Sequence, residues 1–359
     1  MTKKFPEKEI FYEILRVLAI VLVVLNHLPI ATAYMTEEGI GGGLYLIFAI
    51  IMRINVPLFF MISGALLLRK EEELKTVLKK RVLRFAIVLF VVQLGIYLTN
   101  VLVSGIKGGV DDYSVWDFAR KFFGVSVPGG ESYWFLYSYI ALLCFLPFLK
   151  RILDRITKYE FLAILIMHFV ISSLIPVINL AALALDAEDI GWPSRLQLPL
   201  VTVKPFFFAI CGYYLDTKAD MALVRKQRIK LAAACVLAVI VSCVAVKMEA
   251  ALRGYSESYI SLFDYVLAIG VFLGVKSLNA DKKVKNGSKQ LVLLMGSLSF
   301  GVYLLDPFLK AGLYSKYSSL CADSLNYALF SFGWLIISLI LGGILTFFFK
   351  KLPVVKNYI

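Results

Sequence analysis

Residues 11–30 read FYEILRVLAIVLVVLNHLPI, and this apolar stretch decides how the rest of the chain is interpreted. A transmembrane helix needs about 20 mostly apolar residues, so the stretch is long enough to cross a bilayer. It contains two groups that can carry a positive charge, Arg16 and His27. On a straight helix their separation makes about three turns, so both side chains lie on one face, roughly 16 Å apart along the axis. Because ionisable groups at membrane depth usually face a bundle interior or a water-filled cavity, the pair is a candidate functional site.

Each of these two residues also has a purely structural interpretation. The Arg16 guanidinium could extend along the helix to the inner membrane interface, as long cationic side chains often do. His27 could be a packed histidine, and His168, in the middle of another apolar run, is expected to be one. The shared face of Arg16 and His27 favours the functional interpretation.

The composition of the whole chain indicates a membrane protein. Of 359 residues, 60% are hydrophobic and 18% are charged, and the mean hydropathy is +0.81. A water-soluble domain carries more charge. Apolar runs of about 20 residues therefore predict an all-α polytopic bundle of about ten transmembrane helices, forming a single domain over residues 1–359. The predicted spans lie near 11–33, 43–68, 81–103, 132–149, 159–183, 199–216, 229–248, 260–279, 290–315 and 327–349.

The distribution of basic residues predicts the orientation of this bundle. Lys and Arg concentrate in alternate connections, such as residues 69–84 (RKEEELKTVLKKRVLR) and 150–158 (KRILDRITK). Since cytoplasmic loops carry this excess, both termini are predicted to be cytoplasmic. The bias also accounts for the formal charge of +13, so no nucleic-acid partner is expected. The five cysteines show no CxxC spacing, and no metal site is predicted.

The predicted depths of the polar residues suggest a second feature. Five ionisable groups from five different spans fall in the outer leaflet, and such groups are usually paired or hydrated. We therefore expect a polar chamber that opens toward the outside. Lys204 and Asp264, the two shallowest groups, could instead be interfacial anchors. The five ionisable groups predicted in the outer leaflet are His27, Arg53, Lys204, Asp264 and Asp306.

Two arginines mark the cytoplasmic start of the third span. Arg81 and Arg84 are spaced i, i+3, so on an α-helix they are neighbours. Guanidinium groups bind phosphate oxygens well, which suggests a phosphate site. The alternative is that both residues only follow the positive-inside rule.

Several of these segments resemble the acyltransferase 3 family of integral-membrane O-acyltransferases, especially its surface-polysaccharide O-acetyltransferase branch. Two positions depart from the family pattern, because Asp306 and Ser132 stand where many members have histidine. The matching segments are Arg16 and His27 at R-x10-H spacing, residues 55–72 (NVPLFFMISGALLLRKEE), 81–84 (RVLR), 133–153 (YWFLYSYIALLCFLPFLKRIL) and 299–308 (SFGVYLLDPF).

The resemblance implies transfer of an acyl group, with acetyl favoured, from cytosolic acyl-CoA to a hydroxyl of a surface polysaccharide or lipid-linked glycan. No tightly bound cofactor is implied, and the location implied is a bacterial plasma membrane. In this scheme His27 is the general base, Arg16 holds the donor, and Arg81 and Arg84 bind CoA phosphates.

The remaining candidate residues complete the implied site. Arg53 and Asp306 could pair, and either could orient His27 or polarise the thioester. The expected acceptor-binding residues are Glu131, Trp134, Tyr137 and Lys204. Interfacial aromatic residues are the alternative for the tryptophan and tyrosine.

The sequence is also compatible with two other functions. A proton-coupled transporter or glycan-export component could use the same outer chamber, although such folds tend to show internal repeats and none is evident here. A catalytically inactive family member is the third possibility, and the Asp306 departure is its main support.

Overall fold

The structure is a computed structural model that describes residues 10–107, 113–188, 190, 198–254, 257–279, 286–321, 325–353, 355 and 358. The described residues are 83% helical, and they contain no strand. The predicted all-α class is therefore confirmed.

Sixteen α-helices lie in the described part of the chain. They are α1 (Ile10–Asn26), α2 (Gly39–Met52), α3 (Asn55–Leu67), α4 (Leu74–Val77), α5 (Leu83–Lys107), α6 (Val115–Phe123), α7 (Trp134–Arg155), α8 (Lys158–Phe169), α9 (Ile175–Ala184), α10 (Lys204–Thr217), α11 (Met221–Lys226), α12 (Arg228–Arg253), α13 (Asp264–Asn279), α14 (Asn286–Leu309), α15 (Ser315–Cys321) and α16 (Tyr327–Phe349). Three π-helical segments join consecutive helices, and they are Leu78–Val82, Val170–Leu174 and Lys310–Tyr314.

Each of the ten predicted spans contains at least one of these helices. Within the described residues, seven helical segments are long and apolar enough to cross a membrane. The other three spans contain α1, α10 and α13, which have 17, 14 and 16 residues. The seven segments are Gly39–Leu67, Leu74–Val103, Glu131–Arg155, Lys158–Ala184, Arg228–Arg253, Gly287–Cys321 and Tyr327–Phe349.

The chain divides into two compact units. The first comprises Met1–Lys70 and Lys150–Ser297, and the second comprises Glu71–Leu149 and Leu298–Ile359. The single domain inferred from the sequence stays a prediction.

In the first unit, α3 and α10 pack with their backbones in close contact. A methyl group added at Gly64 would overlap the carbonyl of Ala209, and one added at Gly212 would overlap the carbonyl of Met61. Small residues allow this kind of approach between helices in a membrane, where van der Waals packing drives association. These two glycines therefore set the distance between α3 and α10.

A buried carboxylate joins the ends of several helices in the same unit. Asp216, near the end of α10, accepts hydrogen bonds from the Arg69 guanidinium at 3.0 and 2.7 Å and from the Lys276 ammonium at 3.0 Å. Arg69 also donates to the Tyr12 hydroxyl at 2.6 Å. Since only 2% of the Asp216 side chain is exposed, two cations balance its charge inside the unit. The network links α1, the end of α3, α10 and α13.

In the second unit, tyrosines join the start of α7 to α14. The Tyr133 hydroxyl donates to the carbonyl of Leu304 at 2.7 Å, and the Tyr303 hydroxyl donates to the carbonyl of Ser132 at 2.9 Å. Tyr133 is fully buried. A buried hydroxyl needs a partner, and here each one satisfies a main-chain oxygen of the other element. These bonds fix the segment that carries the predicted acceptor residues.

Candidate active site

Arg16 lies in α1 and forms an ion pair with Glu13, one turn earlier, at 2.5 Å. The exposed fraction is 29% for the Arg16 side chain and 3% for that of Glu13. The second carboxylate oxygen of Glu13, Oε2, is buried and has no hydrogen-bond partner among the described residues. A methyl group added at Gly296 of α14 would collide with Glu13, so the backbone of α14 covers this carboxylate. Arg16 is thus held in place by a buried acidic partner.

His27 follows the end of α1 instead of continuing it. The first span was expected to be helical to residue 33, but α1 ends at Asn26, and the His27 amide bonds the carbonyl of Val24. The cause is Pro29, which disfavours a helical conformation at the preceding residue; Leu28 is extended, with φ −121° and ψ 163°. His27 is therefore an exposed residue in a turn. About 15 Å of helix separates His27 from Arg16, and the helix face shared by the two residues stays a prediction.

Arg53 lies at a break within the second predicted span. The segment Gly39–Leu67 consists of α2 with 14 residues and α3 with 13, separated at Arg53 and Ile54. Pro57 explains the break, because it has no amide hydrogen to bond the carbonyl of residue 53 and its ring crowds that carbonyl. Arg53 therefore lies at the junction between α2 and α3.

The structure gives Arg53 an ion-pair partner that the sequence did not suggest. Its guanidinium lies 2.9 Å from the carboxylate of Glu257, in the connection before α13. Its Nε atom is buried and has no hydrogen-bond partner among the described residues. One donor of this arginine therefore has no acceptor among the described residues, and an unsatisfied buried donor is energetically costly.

Lys204 and Asp264 form an ion pair at 2.6 Å. They are the first residues of α10 and α13, so the pair joins two helix starts. Asp264 is 4% exposed, and an acidic side chain at a helix N-terminus is favoured by the helix dipole. Lys204, predicted to bind the acceptor, thus has a structural partner in its own unit.

His168 is a core residue, as expected from the sequence. It is 1% exposed and stacks on Phe207, with ring centroids 3.7 Å apart. Its Nδ1 atom lies 2.6 Å from the carbonyl oxygen of Val201, and this contact fixes the ring. His27 is therefore the only exposed one of the two histidines in the chain.

Asp306 belongs to the second unit, where it contacts a serine of α16 and a lysine at the start of the π-helical segment after α14. Its Oδ1 atom accepts a hydrogen bond from the Ser338 hydroxyl at 2.8 Å, and the Lys310 ammonium lies 3.6 Å from Oδ2. Asp306 is 4% exposed. This carboxylate is thus a buried group balanced by a lysine.

Arg81 and Arg84 have different surroundings. Arg81 lies in the π-helical segment before α5 and donates two hydrogen bonds to the Glu72 carboxylate, at 2.8 and 2.6 Å. The Nε atom of Arg84 is buried without a hydrogen-bond partner among the described residues. The π-helical turn also alters the α-helical i, i+3 geometry assumed for this pair. A carboxylate now occupies the guanidinium fork that was expected to bind phosphate.

The predicted acceptor residues around the start of α7 mostly support local structure. The Glu131 carboxylate accepts a hydrogen bond from the Gly129 amide at 3.1 Å, within a turn where Gly129 has φ +76°. The Tyr137 hydroxyl donates to the carbonyl of Phe122 at 2.6 Å. Trp134 is 45% exposed and lies at the first position of α7. The Ser132 hydroxyl is buried and has no partner in the described chain.

Sequence reasoning missed the acidic partners of the arginines. Glu13 could have been found from its i, i+3 spacing to Arg16. Glu72 lies in a polar connection, nine residues before Arg81, where no helical period relates the two residues. Glu257 pairs with Arg53 across about two hundred residues of sequence, so no local signal exists for it. The site residues are therefore held by ion pairs, each within its own unit.

The chemistry available at these positions is general-base catalysis and anion binding. An exposed imidazole can take a proton near neutral pH, and the guanidinium groups with unpaired buried donors can bind an oxygen atom. The described residues contain no group of three or more His, Cys, Asp or Glu that could hold a metal ion.

Comparison with known proteins identifies the family. The sequence model of the acyltransferase domain, Acyl_transf_3, matches residues 9–349, which is nearly the whole chain. Neither the curated proteins nor the solved structures contain a match. The matched region includes α1 with Arg16, the break at Arg53 and the π-helical segment with Arg81. The chain therefore belongs to the acyltransferase 3 family and is a multi-pass membrane acyltransferase.

Proposed function

We propose that the chain transfers an acyl group, acetyl in the first instance, from cytosolic acyl-CoA to a hydroxyl of a cell-surface polysaccharide or lipid-linked glycan. The observation that carries this proposal is the position of His27, which is exposed in the turn that ends α1. Arg16, paired with Glu13, lies about 15 Å deeper along the same helix. The base His27 at the end of α1 and the cation Arg16 deeper in the helix suit an acceptor and a donor that approach from opposite sides of the membrane. The bacterial plasma membrane is the proposed location.

In the proposed reaction His27 accepts the proton of the acceptor hydroxyl while the oxygen of that hydroxyl attacks the thioester carbon. The carbon–sulfur bond then breaks, the CoA thiolate leaves, and the imidazolium returns the proton to it. General-base catalysis of this kind typically contributes about 10²–10⁴-fold in rate. Arg16 holds the donor, and Arg81 and Arg84 bind the CoA phosphates.

Acetyl transfer from radiolabelled acetyl-CoA to envelope glycan tests the proposal. Membranes containing the wild-type chain, His27→Ala or Arg16→Ala are compared at matched expression. His168→Gln is the matched control, because it changes the other histidine of the chain, which is packed in the core. Label that requires His27 and is retained in His168→Gln supports the enzyme and its base. If neither acetyl-CoA nor a longer acyl-CoA gives label, the O-acyltransferase proposal is wrong.

One observation favours a second candidate function. The second span is interrupted near its middle, at Arg53, and discontinuous helices that carry a charge are common in secondary transporters. A proton-coupled transporter or glycan-export component would translocate its substrate without acetyl-CoA. An inactive family member would show neither labelling nor transport, and the departures at Asp306 and Ser132 are the features that motivate it.

A further inference from the structure

A groove of about 300 Å³ lies between α2 and α12 in the first unit. Both helices belong to segments that are long and apolar enough to cross a membrane. The lining is mostly apolar, and its most exposed side chains come from α2, where Ile40 is 87% exposed and Leu44 is 54% exposed. Because both walls are membrane-spanning helices, the groove opens toward the hydrocarbon region of the bilayer.

Glycines keep this side of α2 open. A methyl group added at Gly41 or at Gly43 would meet no atom within 4 Å. Gly43 lines the groove, whereas Gly41 does not. The space beside Gly43 is therefore accessible to a molecule from outside the protein.

Lys247 of α12 is the one charged side chain among the described residues that line the groove. It is exposed, and no described residue forms an ion pair with it. A charged group on a membrane-spanning segment is costly unless it is paired or reaches the polar interface. The groove thus combines an apolar wall with a cation that has no countercharge in the protein.

The position of Lys247 along α12 determines which part of a lipid it can meet. Helix α12 has 26 residues, and Lys247 lies six residues before its end. If the helix is centred in the bilayer, this residue lies about 10 Å from the midplane, or about 5 Å inside the edge of a hydrocarbon core about 30 Å thick. A lysine side chain can extend its ammonium group over such a distance to the headgroups.

The apolar part of the groove continues from that level toward the middle of the membrane. Ile40, at the start of α2, lines the groove together with Lys247, and Ile47 lines it about 10 Å further along the same helix. Ile47 is 38% exposed. The cation and the apolar wall are therefore arranged like the headgroup and the acyl chain of a phospholipid.

We propose that this groove binds an anionic phospholipid, with the phosphate at Lys247 and one acyl chain along α2. Charge complementarity decides the class of lipid. A zwitterionic headgroup also carries a cation, and no acidic residue is among the described residues that line the groove. The inference does not depend on the proposed function, because it concerns a surface of α2 and α12 that takes no part in the proposed reaction.

Photo-crosslinking tests the site directly. The full chain is reconstituted in phosphatidylcholine nanodiscs that contain a small fraction of phosphatidylglycerol with a diazirine on one acyl chain, and crosslinked peptides are mapped by mass spectrometry. We expect crosslinks to α2 and α12 in the wild type. Lys247→Gln should lower their yield by about fivefold. Lys230→Gln is the control, because Lys230 is an exposed lysine near the other end of α12.

A second pair of variants tests the groove itself. Gly43→Leu places a side chain in the groove and should lower the same yield. Gly41→Leu is the matched control, because the same side chain there also meets no neighbour and lies outside the groove. Size-exclusion chromatography checks that each variant folds. If Gly43→Leu does not fold, the comparison of Lys247→Gln with Lys230→Gln still decides the result.

Three results would overturn the inference. The first is an equal yield from phosphatidylcholine that carries the same diazirine, which would indicate a non-selective lipid contact. The second is an equal yield in Lys247→Gln and Lys230→Gln. The third is complete competition by an equimolar fatty acid, which would indicate that the site binds a carboxylate and not a phospholipid headgroup.

Discussion

At the scale of single residues, three of the four candidate arginines have an acidic neighbour that decides how they can act. Glu13 holds Arg16, Glu257 holds Arg53 and Glu72 holds Arg81. Leaving a guanidinium unpaired inside a membrane protein is energetically costly, and these carboxylates offset that cost. They also compete with any anionic substrate for the same donors. Substitutions at Glu13 and Glu72 separate these two effects.

Glu13→Gln is expected to destabilise the protein and to lower acyl transfer. The change removes the buried charge that balances Arg16, which should cost about 2 kcal/mol in the free energy of unfolding. Gly296→Ala should give a similar loss, because the added methyl group collides with Glu13. Gly274→Ala is the control, since no atom lies within 4 Å of its added methyl group. Thermal unfolding in detergent measures the loss of stability, and an acetyl-transfer assay measures the loss of activity. Normal activity in Gly296→Ala would contradict the role given to Glu13.

Glu72→Gln is expected to lower the KM for acetyl-CoA. If Arg81 binds a CoA phosphate as proposed, the Glu72 carboxylate competes with that phosphate for the guanidinium fork, so removing the charge of Glu72 frees two donors. Arg81→Ala should raise the same KM. Glu73→Gln, which changes an exposed neighbour, serves as the control. If the pair only stabilises the fold, both variants will lower the unfolding temperature and leave the KM unchanged.

At the scale of helices, two kinds of contact hold the first unit together. Close backbone packing joins α3 to α10, and the charged network around Asp216 joins their ends to α1 and α13. Close packing depends on small residues, whereas the network depends on charge balance. The network is the better target for mutation because its charge balance can be removed without changing side-chain volume.

Asp216→Asn should strongly destabilise the first unit. The substitution keeps the side-chain shape but removes the negative charge that Asp216 offers to Arg69 and Lys276, and breaking a buried ion pair in this way typically costs about 3 kcal/mol. Glu188→Gln, at an exposed residue, is the matched control. Thermal unfolding in detergent measures the difference between them. Equal stability of the two variants would show that the network contributes nothing.

Helix α6 should loosen in acid. The Lys121 ammonium beside Asp117 holds the pKa of that carboxyl below its usual value. A lowered pKa in the folded state means that Asp117 stabilises the fold above the pKa of an unfolded aspartate, and that this contribution is lost as the pH falls through the lowered pKa. Trp116 fluorescence, isolated by subtracting the spectrum of Trp116→Phe, should change over that acidic range. The change should disappear in Asp117→Asn, and its persistence there would assign it to another group.

At the scale of the whole molecule, the lengths of the apolar segments predicted the helices reliably, whereas the sequence did not predict which charged side chains pair. The ten predicted spans each contain a helix because a bilayer requires long apolar segments that satisfy their own backbone hydrogen bonds. Interruptions were missed, although the prolines that cause them, Pro29 and Pro57, were visible in the sequence. Their effect on His27 and Arg53 is local and could have been predicted. The pairing of Arg53 with Glu257 could not, because it depends on tertiary structure.

The distribution of basic residues predicts the orientation of the whole chain in the membrane. If both termini are cytoplasmic, the connection after α9 lies outside and the connection between α10 and α11 lies inside. Single cysteines at Glu188 and Lys218 report these two sides, because both residues are exposed. The five native cysteines are first replaced by serine or alanine, and the variant is checked for acetyl transfer. A membrane-impermeant maleimide applied to intact cells should label Glu188→Cys and should label Lys218→Cys only after the membrane is permeabilised. The reverse pattern would invert the bundle, place His27 on the cytosolic side and remove the basis for an outer acceptor.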